Sequence, residues 1–153
     1  MKYKSILIIL FIFICFQISY GAFVSGTHSG LLYNTWPLYN GNILPFIENT
    51  QMRWIINFFE NGEYIIFIHR TFAMIILFLL LYLNYSIIMN KRINSYYPVI
   101  IFFNITFILQ IILGVSMTYL NIPWHLALLH QGNSILVFLL SLFMYQLSLK
   151  SPQ

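Results

Sequence analysis

The sequence predicts an all-α fold, a polytopic membrane bundle of four helices with one long outer loop. Composition comes first: of 153 residues, 60% are hydrophobic and only 7% charged, where soluble domains carry about 25% charged residues. Four apolar segments come second, each long enough to cross about 30 Å of hydrocarbon, which takes roughly 20 helical residues. The placement of Lys and Arg between those segments comes third, because it alternates from one side to the other. The length accommodates residues 1–153 as one such bundle and no second domain.

The spans are expected at about 6–24, 64–89, 98–119 and 124–149. Ser25 to Glu63 forms a long connection, Asn90 to Tyr97 a short polar one, and Asn121-Ile122-Pro123 a tight turn. Lys2 and Lys4 precede the first span, Lys91 and Arg92 fill the second connection, and Lys150 follows the last span. The long connection sets only Arg53 against Glu48, Glu60 and Glu63. Basic residues stay on the cytoplasmic side, so both termini and the Lys91–Arg92 connection are expected there, and the other two connections outside. The expected location is a bacterial plasma membrane. Lys2, Lys4, the apolar run from Ile6 and Ser19-Tyr20-Gly21 also fit a secretory signal with a small-x-small cleavage site. That alternative leaves the later three spans and their orientation unchanged.

The formal net charge of +4 comes without any run of basic residues, so no nucleic-acid partner is expected. Cys15, the single cysteine, has no intrachain partner for a disulfide and reads as an inert apolar thiol. The long loop carries Trp36, Trp54, Phe58 and Phe59 with Pro37 and Pro45. Asn49–Phe59 is expected to form a short interfacial helix, and the loop is either a structural lid or a cover over a ligand site.

His69 and His130 carry the chemistry. An ionisable side chain inside the bilayer is expensive and marks a functional site by default. At 1.5 Å of rise per residue, His69 lies about 7–8 Å below Tyr64 and His130 about 9 Å below Trp124, level in the outer leaflet. Two imidazoles at one depth on two helices suit the two faces of a haem, whose iron they would hold as axial ligands. Zinc fits less well, since no Cys, Asp or Glu shares that depth to complete a tetrahedral site. A proton relay wants acidic partners in the membrane, and the spans offer none. A hydrogen bond across helices remains the structural alternative for each histidine.

Small residues at helical spacing accompany the pair: Ala73 four after His69, Ser134 four after His130, and a stripe of Thr106, Gln110, Gly114 and Thr118. Such stripes mark close helix packing, which a cofactor between helices also needs. Arg70 either meets a haem propionate through charge-assisted hydrogen bonds or snorkels to the interface. His125 lies about 140° around the helix from His130. It and His28 are expected at the interface. Glu60 and Glu63 lie outside the hydrocarbon, near the outer rim.

Several spaced motifs resemble one family. Gly21-Ala22-Phe23-Val24-Ser25-Gly26 followed by Tyr33-Asn34-Thr35-Trp36-Pro37-Leu38 is similar to the signature after the fifth helix of the haem A synthase family (Cox15/CtaA). Phe59-Glu60-Asn61 before His69-Arg70 resembles its FEN…HR segment. Gln110-Ile111-Ile112-Leu113-Gly114, Thr118, Pro123, Leu126-Ala127 and His130-Gln131 resemble its QxxLG…T…P…LA…HQ segment. The resemblance covers nearly the whole chain but only the C-terminal half of the family's usual eight spans.

The resemblance implies a b-type haem held by His69 and His130. It implies a role in haem A biosynthesis, where the haem O methyl is oxidised to formyl in the other half of the enzyme. Haem O and haem A are then substrate and product, and the substrate half is expected from a separate gene, a homo-oligomer or a longer gene of which this is a piece. This half alone is expected to be inactive. The family's catalytic glutamate cannot be carried onto Glu60 or Glu63. Thr27-His28-Ser29 and Ile66 depart from the family pattern without touching the two histidines. The alternative function is a small bis-histidine membrane cytochrome b that only carries electrons.

Overall fold

A computed structural model describes residues 2–45, 54–90 and 97–150. The helices are α1 (Lys2–Gly26), α2 (Trp54–Glu60), α3 (Gly62–Asn90), α4 (Tyr97–Tyr119) and α5 (Trp124–Lys150), with a 3₁₀ turn at Ser29–Leu31. Among the described residues, α1, α3, α4 and α5 are long and apolar enough to cross a membrane. The chain is an all-α polytopic membrane bundle. The Lys91–Arg92 connection and residues 49–53 of the expected interfacial helix lie outside the described residues; the rest of that helix is α2, which runs on to Glu60.

Neighbouring residues fix the helix ends. Asn61 caps α3, its Oδ1 accepting the backbone N–H groups of Glu63 (3.0 Å) and Tyr64 (3.2 Å). Glu63 adds a negative charge to that first turn, where the helix dipole favours one. The turn from α4 to α5 reverses through Asn121 and Ile122, both in the left-handed region at φ 56° and 53°. Pro123 follows, its carbonyl accepting the Ala127 N–H at 3.1 Å.

Helix α1 packs on α3 and α5, and α4 packs on α5. Helices α3 and α4 are joined by a reciprocal amide pair, Asn84 with Asn104, both hydrogen bonds at 3.0 Å. The two histidine-bearing helices, α3 and α5, therefore sit across α1 from one another. The main core takes Leu7, Leu10 and Ile14 from α1, Ile76, Leu80, Leu83 and Ile87 from α3, Ile100, Phe103 and Phe107 from α4, and Val137 and Met144 from α5. Buried positions three and four apart form the narrow seam on which near-parallel helices interlock. All of these residues belong to the half of the bundle away from the long loop. Large apolar side chains such as Phe78, Tyr85, Ile105 and Leu139 point outward, as a lipid-facing surface requires.

The loop closes the other end. Tyr33 and Tyr39 are buried with Ile66 in a second small cluster, against which Val24 and Phe67 pack. Asn34 donates to Asn121 Oδ1 at 2.7 Å, and the Tyr119 hydroxyl donates to the Trp36 carbonyl at 2.8 Å. The loop is thus tied to the α4–α5 turn and lies over the half of the bundle that contributes no residue to the main core.

Candidate functional site

That half contains both histidines, about 10 Å below the start of α3 for His69 and about 9 Å below the start of α5 for His130. Each is seated by the helix that precedes it in its own hairpin. The Gln17 amide nitrogen on α1 lies 3.3 Å from His69 Nε2, and a Cβ on Gly21 would lie 3.4 Å from His69 Cε1. The Gln110 amide nitrogen on α4 lies 3.1 Å from His130 Nε2, and a Cβ on Gly114 would lie 3.1 Å from His130 Cε1. The same device occurs twice: glutamine, then glycine four residues on, then a small hydroxyl (Ser25 or Thr118) four further. Glutamine meets a ring nitrogen, and glycine leaves space for the flat imidazole to lie against the helix.

The two seats differ beneath the glutamine. Asn133, three residues after His130, donates through Nδ2 to Gln110 Oε1 (2.7 Å) and to the Thr106 carbonyl (2.9 Å). Gln110 spends its second N–H on the His130 carbonyl at 3.0 Å. The corresponding residue three after His69 is Phe72, whose ring meets Phe13, Phe16 and Tyr20 of α1. One hairpin has an amide ladder where the other has an aromatic cluster. As a result Gln17 Oε1 is buried without a hydrogen-bond partner.

His69 Nδ1 and His130 Nδ1 are also buried without partners, as is one terminal nitrogen of Arg70. Buried polar atoms are nearly always satisfied, so the partnerless nitrogen of each ring points to a further group that accepts from it or coordinates to it. Among the described residues no group of three or more His, Cys, Asp or Glu is placed to hold a bare metal ion. The donor set suits a metal that brings its own equatorial ligands, as haem iron does.

Arg70 turns toward the loop instead of into the bundle. Its other terminal nitrogen donates to the Tyr33 carbonyl at 3.3 Å, and its guanidinium carbon lies 4.8 Å from the centre of the Tyr39 ring. Burial pushes the Tyr39 phenol above its ordinary 10.0, and the Arg70 charge partly opposes this.

The remaining sequence candidates do not join the pair. His28 is exposed at a left-handed corner before the 3₁₀ turn, φ 55°. His125 is exposed with its ring edge against Trp124. Glu60 is exposed at the end of α2, and Glu63 sits half-buried in the first turn of α3. Cys15 is half-buried and free. The Thr106–Gln110–Gly114 stripe faces α5 and its histidine, whereas Ser134 bonds to the Gln131 carbonyl of its own helix. The small residues beside the rings are the glycines of neighbouring helices, and Gln17, the partner of His69, went unread in the sequence. Its signal was there as a second Gln-x3-Gly set, in the first span.

Comparison with known proteins identifies the chain's relatives. Residues 1–142 match COX15-CtaA, described as cytochrome oxidase assembly protein. Heme A synthase of Wolbachia sp. subsp. Brugia malayi (strain TRS) is 42% identical over 134 residues, 85% of this chain and 37% of that protein. Heme A synthase of Rhizobium rhizogenes is 36% identical over 126 residues (80% and 34%), and that of Brucella ovis 36% over 122 residues (79% and 34%). The chain thus spans little more than a third of the length of these relatives. No solved structure matches it. With the match running through α1, both Gln–Gly seats and both histidines, the chain belongs to the COX15-CtaA family of cytochrome oxidase assembly proteins.

Proposed function

We propose that this chain holds a b-type haem between His69 and His130, and that it serves as the electron-relay half of a haem A synthase-type oxidoreductase. The observation that carries the reading is the pair of seated imidazoles at matched depth, each with a buried ring nitrogen lacking a partner. When bound, the haem supplies one-electron transfer. His69 and His130 hold it from opposite helices, and Gln17 and Gln110 orient the rings. Gly21 and Gly114 keep the helix surface clear. Arg70, with one terminal nitrogen buried and unsatisfied, is the natural partner for a propionate entering beneath the loop. Tyr33, Tyr39 and Ile66 close that end against water.

The relatives are named for making haem A, and the family resemblance supplies the wider reaction proposed for the whole enzyme: haem O, oxidised at a ring methyl to the formyl group of haem A. The described acidic side chains, Glu60 and Glu63, stand at the loop end, away from the histidines. This favours a carrier over an oxidising centre here and leaves haem O to a second bundle, supplied by another chain, a second copy or a continuation of this one. The chain lies in a bacterial plasma membrane, and Lys4, with the other basic residues of the sequence, sets both termini in the cytoplasm.

The test is a reduced-minus-oxidised spectrum of the purified chain. A low-spin bis-histidine haem signal is expected, lost in His69→Ala and in His130→Ala. Its absence from the unaltered chain, or its persistence in both variants, refutes haem binding by this pair. Conversion of haem O by this chain alone, without another bundle, refutes the relay assignment.

A further inference from the structure

Amide side chains inside the spans are spent on one another or on the histidines: Gln17 on His69, Asn84 with Asn104, and Gln110 with Asn133 and His130. Gln131 is the exception. It lies about 10 Å below the start of α5, is exposed, and its side chain makes no hydrogen bond to any described residue. Beyond the helix's own bonds only its carbonyl is used, accepting the Ser134 hydroxyl at 2.7 Å. Gln146, the other exposed amide of α5, stands one turn from Lys150 at the end of the helix, where headgroups and water supply partners. Gln131 is too short to reach them from its depth, unlike a snorkelling Lys or Arg. Lipid tails offer an amide nothing, and a polar group left so in hydrocarbon is costly.

The surface around Gln131 suits a second helix. A Cβ on Gly132 would have nothing within 4 Å. Leu128 and Ile135, one turn to either side of Gln131, are 63% and 56% exposed. Helices in lipid associate through such a combination of an amide, a glycine and close apolar packing. The lipid faces of α1, α3 and α4 present no exposed amide among the described residues.

We propose that two copies of this chain pair through this face of α5, their Gln131 amides closing a reciprocal hydrogen-bonded pair. A second copy fits better than a different chain. An amide carries both donor and acceptor, so it is its own complement, and Asn84 with Asn104 already form such a pair with both bonds at 3.0 Å. Copies inserted with the same topology are related by a two-fold axis along the membrane normal. That axis brings a residue beside it to its own counterpart at equal depth, so Gln131 needs nothing that the copy lacks. Gly132 lets the two α5 helices come close enough for the amides to meet. The pairing is independent of the haem reading, and it sets the two His130-bearing helices side by side.

The full chain, purified from membranes in detergent, is expected to sediment at equilibrium as a dimer. Gln131→Leu is expected to weaken that dimer by about tenfold, Gln131→Asn to weaken it less, and Ile105→Ala, on the lipid face of α4, to leave it unchanged. Cross-linking tests proximity without any loss of association. With Cys15→Ser removing the single cysteine, Gln131→Cys is expected to yield a disulfide-linked dimer on oxidation in the membrane, and Ile105→Cys none. A chain that sediments only as a monomer, a dimer equally tight in Gln131→Leu, or no linked dimer from Gln131→Cys overturns the proposal. Equal cross-linking at positions 105 and 131, or cross-linking from 131 to a polypeptide of another mass, overturns it too. A chain that dimerises as expected but shows no bis-histidine spectrum refutes the haem reading and supports the pairing.

Discussion

Alanine at Gly114 and at Gly21 should have opposite effects, although both glycines serve the same purpose. At Gly114 the new Cβ would lie 3.1 Å from His130 Cε1 and 3.6 Å from Nδ1. Carbon pairs settle at about 3.5–4.0 Å, so the ring must withdraw by about 0.4 Å. Gln110 already stands 3.1 Å from Nε2, and a withdrawal taken along that line stretches the bond to the edge of hydrogen bonding. The loss is about 1 kcal/mol for the bond and about 1–3 kcal/mol for overpacking. Against it stands about 0.5–1 kcal/mol gained from alanine over glycine inside a helix. Gly114→Ala is therefore expected to lose about 1–3.5 kcal/mol net. At Gly21 the Cβ would meet His69 Cε1 at 3.4 Å, an ordinary contact, so only the helix gain remains, about 0.5 kcal/mol. Reversible unfolding in detergent, followed by helical circular dichroism, measures both. Equal losses at the two positions, or a stable Gly114→Ala chain with the His130 spectrum intact, would refute the claim that these distances govern the seats.

Other outcomes follow from single contacts. Asn61→Ala should cost about 1 kcal/mol by removing the cap of α3, seen as a lower denaturation midpoint, and Asn61→Asp should restore it. Asn84→Leu alone strands the Asn104 amide and should cost about 1–3 kcal/mol, while Asn84→Leu with Asn104→Leu should be close to neutral; a double-mutant cycle tests this. Arg70→Leu should weaken haem retention while the bis-histidine band keeps its position, and a chain that binds haem as tightly without Arg70 excludes its propionate role. The phenol of Tyr39 is raised above 10.0 by burial, so the stability of its neutral form is complete below that pH and is lost as pH climbs toward the folded value. Alkaline unfolding that is identical in Tyr39→Phe would contradict this.

The fold was legible because lipid imposes a harsh filter on composition. Apolar runs of membrane length leave few alternatives to a helix, and the spans read from sequence fall inside α1, α3, α4 and α5. The histidines stood out for the same reason, since an imidazole in such a run is costly. Gln17 did not, because an amide is uncharged and one glutamine on a helix is ordinary. Its meaning depends on which ring lies opposite, and a helix's own periodicity does not record its neighbours. The same limit explains Ala73 and Ser134, which were expected to flank the histidines within their own helices, whereas the space beside each ring is made by a glycine on the preceding helix. The orientation of Arg70 toward Tyr33 and Tyr39 depends on the path of the loop, which the sequence left open.

The repeat also explains why the main core is confined to one half of the bundle. Two hairpins that each bring a Gln–Gly face and an imidazole to one level cannot also fill that level with large apolar side chains. The interlocking seam of Leu10, Ile14, Leu83, Phe103 and Met144 lies at the far end instead and holds the helices there. Where the hairpins diverge, at Phe72 against Asn133, each residue anchors its seat to the neighbouring helix in a different way. The aromatic contact between Phe72 and Phe13 binds α3 to α1 without constraining Gln17. The bond from Asn133 to Thr106 binds α5 to α4 and constrains Gln110 as well.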